Sequence, residues 1–313
     1  MSGNTTVKVS VIVPTYNSEG VIGHCLESLI NQSYPRDQYE VIVSDDGSID
    51  ETRRIAESFP GVRFLGHADK GPSSARNAGA CQAEGDIIVF TDSDCVPCPD
   101  WLEKMVQPFL RDPEVVAVKG AYRTRQKERV ARFCQKEFEE RYRVLAQYEN
   151  IDFVDSHSAA FRKAAFWAVG GFDSRFPVAS NEDVELSYKL AAQKSKMVFV
   201  PEACVYHRHP TRVSRYLYVK FTRGYWRMLV YKRFPKKAMG DTYTPTSLKI
   251  QLLLAFAFML SILGWLGSFG TSLTPAAGGI LTGLSLLVLV ISTLPLTVRI
   301  YKEDPEVGVI APF

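Results

Sequence analysis

Between Ala203 and Gly240 the sequence has no acidic residue, and between Ile250 and Val298 it has no charge of either sign. The second gap excludes an ordinary solvated surface. It divides at Gly270 to Gly279 into two apolar runs of roughly 20 residues, the length that crosses a hydrocarbon core of about 30 Å. In the first gap, nine Lys or Arg residues between Arg212 and Lys237 interleave with Tyr, Phe and Trp. That pattern is expected of an interfacial helix whose cations face anionic lipid headgroups. No secretory signal is expected either, because Met1 to Lys8 is polar and the apolar run Val9 to Val13 is too short. Lys236, Lys237 and Lys249 precede the first run, and Arg299 and Lys302 follow the second. The positive-inside rule then predicts a multi-pass cell-membrane protein whose N-terminal domain is cytoplasmic. Six cysteines at irregular spacing do not form a disulfide framework and fit a reduced compartment. A net charge of +3 is too small to imply nucleic acid as a partner, and 46% hydrophobic residues exclude a disordered chain. There is no long repeat and no low-complexity tract.

What is present in the first half alternates between strand and helix. Val9 to Val13, Tyr39 to Val43, Val62 to Leu65 and Asp86 to Phe90 read as strands. Glu19 to Gln32, Thr52 to Phe59 and Ser73 to Ala83 read as helices. This order predicts an α/β fold, a mostly parallel sheet with helices on both faces. Ligands of such sheets bind beyond the C-terminal strand ends. Thr15 to Asn17, Asp45 to Asp50 and Asp92 to Asp94 each follow a strand and should meet on one rim. Further helices are expected over Glu128 to Tyr148, Lys163 to Val169 and Asn181 to Gln193, with a turn at Gly170 to Asp173 and a strand at Val198 to Pro201. Asn181 or Ser180 should cap the third of these helices, with Glu182, Asp183 and Glu185 in its first turn. The expected organisation is a catalytic domain over 1–210, a basic interfacial segment over 211–247, a two-helix transmembrane hairpin over 248–298 and a cytoplasmic tail over 299–313.

Asp92-Ser93-Asp94 holds two carboxylates on a short turn after a buried strand, so that both can approach one divalent cation and its diphosphate. Hard oxygen ligands suit Mg2+ or Mn2+. Alone the pattern is weak, since turns use Asp freely. It stands in an ordered series with Pro14-Thr-Tyr-Asn17, Asp45-Asp-Gly-Ser-Ile-Asp50, Gly71-Pro-Ser-Ser-Ala-Arg-Asn-Ala-Gly79, Gly170-Gly-Phe-Asp173 and Asn181-Glu-Asp-Val-Glu-Leu186. In this series, from roughly Val9 to His209, the chain resembles the family 2 glycosyltransferases of GT-A (Rossmann-like) fold.

That resemblance implies an inverting transferase that uses a nucleotide-sugar donor, UDP-linked on family frequency, with Mn2+ or Mg2+. It implies that Pro14, Thr15 and Tyr16 contact the nucleotide base, and that Asp46, with Asp45 beside it, reads the base edge and ribose. Turn capping is the plainer reading of these two carboxylates. Arg76 is implied to pair with diphosphate. Asp92 and Ser93 would lie near ribose and metal, and Asp94 would ligate the metal. In Val205-Tyr-His-Arg-His-Pro210, His207 is the expected third ligand and His209 the second choice. A cation there would neutralise charge on the departing nucleoside diphosphate. The implied base is Asp183, with Glu182 as competitor. A first-turn position normally lowers a carboxylate pKa, so Asp183 is expected to be ionised.

Cys95-Val-Pro-Cys98 has redox or zinc spacing, but zinc needs about four ligands and no second pair is evident. Cys98 is therefore expected to be incidental, and Cys95 to line the site beside Asp94. His157 in Asp155-Ser-His-Ser158 stands where relatives often carry small residues and Asn, so Asp155 and His157 are candidate acceptor contacts. Arg223 and Trp226 are two more; they fall where processive relatives carry a Gln-x-x-Arg-Trp motif, which is absent. The expected acceptor is a hydroxyl of a lipid-linked or membrane-proximal glycan, with polyprenyl phosphates one acceptor class and membrane lipids as surroundings. Gly264, Gly267 and Gly270 leave oligomeric assembly through the hairpin open. The rival reading is a catalytically inactive, membrane-bound protein that binds nucleotide sugars or serves as a scaffold. A nucleotidyltransferase would need a Gly-rich phosphate loop that Pro14 to Asn17 does not offer.

Overall fold

A computed structural model of the chain describes residues 8–67, 70–176, 180–269 and 275–308. The sequence readings that touch 1–7, 270–274 and 309–313, including the turn of the hairpin and the end of the tail, lie outside the described residues. Strands β1 (Val9–Thr15), β2 (Tyr39–Asp45), β3 (Val62–Gly66) and β4 (Ile87–Phe90) form a parallel block in the order β3-β2-β1-β4. Every residue of β1 is buried, which is why it reads as a continuous apolar run and not as an alternating one. Four more strands complete an eight-stranded sheet: β5 (Val96–Pro97), β6 (Val115–Arg123), β7 (Ala159–Arg162) and β8 (Lys196–Tyr206). The full order is β3-β2-β1-β4-β7-β6-β8-β5. β7 runs antiparallel to both β4 and β6, and β6 runs parallel to β8.

The strand expected at Val198 to Pro201 does not stop at the proline. It belongs to the longer β8, whose pairing with β6 steps from Lys119↔Phe199 to Ala121↔Cys204. The ladder thus takes up Pro201 in a bulge, where its missing N–H costs no hydrogen bond. β8 then runs on to Tyr206, directly before His207.

Helices α1 (Ile22–Ile30) and α4 (Trp101–Arg111) cover one face of the sheet, where Leu26, Leu29, Trp101 and Met105 pack on Val9, Val11 and Val13. On the other face α3 (Pro72–Gln82), α6 (Lys163–Ala168) and α7 (Glu182–Ala192) pack on Ile12, Phe90 and Phe161. Alternate residues of β1 thus feed two cores. Between these elements, α2 (Thr52–Glu57) and α5 (Arg129–Leu145) complete the α-helices that precede the end of β8. α3 lies close to the sheet because Gly79 has no side chain: a Cβ there would stand 2.6 Å from Ile12 Cγ2. That approach sets Arg76, one turn earlier, beneath the rim. Asn181 stands at the N-cap position of α7 but does not cap it. Its backbone is left-handed (φ 66°), and its amide donates to Ser180 Oγ and, at 2.9 Å, to the Arg223 carbonyl.

After β8 come α8 (Val213–Arg233), α9 (Pro235–Met239), α10 (Thr246–Ser268), α11 (Pro275–Glu303) and α12 (Pro305–Gly308). α8 is tied to the preceding elements by Lys220–Glu137 and by Arg233 with Asp173 and Glu185. Its outward side exposes Leu217, Phe221, Tyr225 and Met228. α10 and α11 are long and apolar enough to cross a membrane. They pack antiparallel: Gln251 donates to the Ser292 carbonyl, the Ser261 and Ser285 hydroxyls meet at 2.9 Å, and Trp265 lies over Gly278 and Gly279. Gly264 and Gly267 face open space. The charged end of α11, read above as the start of a tail, is still helical. There Arg299 pairs with Glu140, Glu303 with Lys136 and Arg143, and Asp304 with Arg132.

Candidate active site

The three polar clusters meet where expected, beyond the C-terminal ends of β1, β2 and β4. In the turn after β4, Asp92 accepts a 2.9 Å hydrogen bond from Arg76 Nη2, and its other oxygen lies 3.4 Å from His157 Nε2. Asp94 Oδ2 lies 3.6 Å from His207 Nε2, and ligand atoms of Asp94, Cys95 and His207 all fall within 4.8 Å of one another. Burial, with His157 adding to it, pushes the His207 pKa well below its ordinary value. The ring is therefore neutral and has a lone pair to donate. Burial, reinforced by Asp94 and Asp92, pushes the Cys95 thiol well up, so it stays protonated. A carboxylate–imidazole set suits Mn2+.

His209 is placed differently. Its Nε2 bonds Gln135 Oε1 at 3.0 Å and its ring stacks on Phe138. β8 ends at Tyr206, so strand alternation does not carry on through the two histidines, and only His207 reaches Asp94. Cys98 is not beside Cys95 either. Its sulfur lies 2.6 Å from that of Cys204, across the β5–β8 pair.

On the β1–β2 side of the rim, Pro14 and Thr15 end β1 opposite Ser44 and Asp45. Thr15 Oγ1 is buried without a hydrogen-bond partner among the described residues, and Tyr16 is exposed. Ser93 Oγ lies 2.9 Å from Ser18 Oγ. Both Asp45 and Asp46 build turns: Asp45 accepts from the Ser48 amide, and Asp46 accepts from the amides of Lys70 and Gly71. Arg76 was expected to face a diphosphate, but its guanidinium is buried between two carboxylates. Nη1 donates to Glu182 at 2.8 Å and Nη2 to Asp92. Burial raises the Asp92 pKa, but His157 and Arg76 outweigh it and hold the carboxyl down at about 2.

A partly open cavity of about 130 Å³ adjoins this turn. Asp92, Asp155, His157, Asp183 and Arg223 line it, as does Glu182. Trp226 does not; its indole packs on Phe176, 6.0 Å between ring centres. Burial raises the Glu182 pKa to about 7, with Arg76 opposing and Asp183 adding to the rise. Burial also raises Asp183, with the Asp155 charge next in size. This reverses the lowering expected from its first-turn position: desolvation in the cavity outweighs the helix terminus. Asp155 is joined to Lys119, which is fully buried in β6. Sequence reasoning passed over Lys119, whose only signal is a lysine inside an apolar strand. It also passed over Arg141, Arg227 and Tyr243, which line the same cavity.

A model of the family described as Glycosyl transferase family 2 matches residues 10–170. Validoxylamine A glucosyltransferase of Streptomyces hygroscopicus subsp. limoneus is 28% identical over 227 residues, covering 62% of this chain and 50% of its own. The probable glycosyltransferase YdaM of Bacillus subtilis is 27% identical over 249 residues, covering 71% of this chain and 58% of its own. The chain thus spans little more than half the length of these two relatives. Among solved structures, mannosyltransferase PcManGT from Pyrobaculum calidifontis, in complex with GDP-Man and Mn2+, is similar over 97% of this chain and 86% of its own, at 24% identity and a TM-score of 0.63. That likeness establishes a shared fold. With the family model covering half of the chain, this protein belongs to glycosyl transferase family 2.

Proposed function

We propose that the protein transfers a sugar from a nucleotide-diphosphate donor to a hydroxyl of a lipid-linked or membrane-proximal glycan, in one in-line displacement with inversion. The observation that carries this reading is the meeting of Asp94 and His207 at the turn whose Asp92 borders the cavity containing Asp183.

Asp94 and His207, with Asp92, would hold Mn2+ or Mg2+, which when bound neutralises charge on the departing nucleoside diphosphate. Pro14, Thr15, Tyr16, Asp45, Asp46 and Ser93 would bind the nucleotide at the rim. Arg76 holds Asp92 and Glu182 in place. Asp183 takes the proton of the acceptor hydroxyl, and its raised pKa brings it closer to the operating pH of an effective base. Glu182 is the weaker candidate because Arg76 already engages its carboxylate, which is almost wholly buried. Asp155 and His157 would contact the acceptor.

The apolar hairpin and the exposed aromatic side of α8 support a membrane anchor, with the flanking lysines and arginines favouring a cytoplasmic catalytic domain. On this reading 1–210 is catalytic, 211–247 interfacial, 248–298 the anchor and 299–313 the tail. The donor is a nucleotide sugar; uridine is the family-frequency expectation, and guanosine is the nucleotide in the PcManGT complex.

Purified, detergent-solubilised protein should be screened against several nucleotide sugars with Mn2+, Mg2+ or EDTA, beside Asp94→Ala and Asp183→Ala. Donor-specific release of nucleoside diphosphate, lost with EDTA and in both variants, is expected. Nucleotide-sugar binding with wild type and variants equally inert across a broad acceptor panel would overturn the transferase reading.

A further inference from the structure

The cavity beside Asp183 holds cations that the proposed chemistry does not use. Arg141 enters from α5, while Arg223 and Arg227, one helical turn apart, enter from α8. Five other cations of the same helices, Arg132, Lys136, Arg143, Lys220 and Arg233, each pair with Asp or Glu. The three that line the cavity have no ion pair among the described residues. Arg141 Nη1 donates to the Tyr243 hydroxyl at 2.8 Å and Arg227 Nη1 to the Tyr188 hydroxyl at 3.4 Å. Among the described residues Arg223 engages only through its backbone carbonyl.

Most of the carboxylates in the lining are already matched. Asp92 and Glu182 share Arg76, and Asp155 has Lys119. Asp183 remains; with Lys119 counted, five cations face four carboxylates, a surplus of one positive charge. A phosphate ester, at about −1.5 to −2 as a monoester near neutral pH, takes up that charge and has the oxygens for the three guanidinium forks.

The donor diphosphate is a poor candidate for this anion. Asp94 and His207 line a separate, open groove with Thr124, Arg125 and Arg208, and neither borders the cavity. Asp92, in the turn between the two spaces, borders the cavity. We infer that the cavity is an anion subsite for the acceptor, in which Arg141, Arg223 and Arg227 hold a phosphate ester and so set the acceptor hydroxyl near Asp183. This rests on the transferase reading given above. The phosphate could belong to a lipid or to a free anion, and the exposed apolar side of α8 favours the lipid.

The test uses the full chain in detergent and three probes: geranylgeranyl phosphate, geranylgeraniol and inorganic phosphate. Binding of UDP and GDP with Mn2+ is read separately. The phosphate lipid should bind about tenfold or more tightly than the alcohol and than inorganic phosphate. Arg141→Gln/Arg227→Gln should abolish that preference while nucleoside diphosphate still binds, which also shows that the variant is folded. Arg141→Lys/Arg227→Lys should keep part of it. Equal binding of phosphate lipid and alcohol would overturn the subsite, and inorganic phosphate binding as tightly as the lipid would overturn its assignment to the acceptor. Loss of nucleoside diphosphate binding, with the phosphate-lipid preference kept, would assign the arginines to the donor and overturn the inference. A wild type that prefers the phosphate lipid yet binds no nucleoside diphosphate would support the anion subsite and sink the transferase reading instead.

Discussion

Arg76 and Glu182, 106 positions apart in the chain, meet at 2.8 Å beneath the rim of the sheet, with their side chains 2% and 3% exposed. Removing one member of a buried pair strands the other's charge. Arg76→Ala should therefore lose about 3–5 kcal/mol of stability in urea denaturation. A loss under about 1 kcal/mol, the size of an exposed pair, would mean that the contact is solvated.

Lys119 and Asp155 allow the complementary experiment. Lys119→Met alone should cost about 3–5 kcal/mol, because Asp155 keeps a buried charge. Lys119→Met/Asp155→Leu should recover most of that loss. If the double variant is no more stable than the single one, Asp155 has another cationic partner.

Asp183→Asn should lower kcat by about 10²- to 10⁴-fold, the usual contribution of a general base, while nucleoside diphosphate binding is kept. An equal loss in Glu182→Gln with Asp183→Asn near wild type would exchange their roles.

The raised carboxylates make two pH effects of opposite sign. As the proposed base Asp183 must be ionised to act, so kcat/KM should fall on the acid side with a midpoint above the ordinary aspartate value of 3.8. Stability runs the other way for Glu182. Its folded pKa of about 7 lies above the ordinary 4.5, so the native state binds the extra proton between those values. Its contribution is fully present below 4.5 and is lost as pH rises through about 7. Glu182→Gln should flatten that decline in a series of denaturation curves.

The two histidines should separate by metal dependence. His207→Ala should raise the Mn2+ concentration needed for half-maximal turnover by about 10–100-fold or more, since even groups that only orient metal ligands act on that scale. His209→Ala should leave that concentration unchanged and cost stability through the lost Gln135 bond and Phe138 stack. The same Mn2+ shift in both variants would contradict the placement of His209.

The parallel half of the sheet was legible because β1, β2 and β4 are short, largely apolar and β-branched runs, each followed by a polar cluster. β7 was not, since Ala159-Ala-Phe-Arg162 is short and without a period, and only its neighbours β4 and β6 make it a strand. Asp92 and Asp94 stand out as a carboxylate pair on one turn, while Asp183 and His207 are singled out by the resemblance of their motifs to the family. The cavity could not be found in either way: Lys119 meets Asp155 across 36 positions and Arg141 meets Tyr243 across 102, both brought together by packing that no local pattern encodes. The direction of the Asp183 pKa shift was misjudged because a helix terminus is visible in the sequence, whereas desolvation by a cavity wall is not.

The ion pairs at the end of α11 have a mechanical consequence. The apolar hairpin leaves the catalytic domain after Asp241 to Thr244, where Thr242 is hydrogen-bonded to Asp152 and Tyr243 packs on Phe153. It returns at Glu303 and Asp304, fastened to α5. A lever pinned at one end swings freely, but one pinned at both can only rock about the line joining its pins. Those pins are Tyr243, in the cavity wall, and α5, which carries Arg141 into the same wall. Any tilt of the hairpin therefore acts as a torque on the pocket itself.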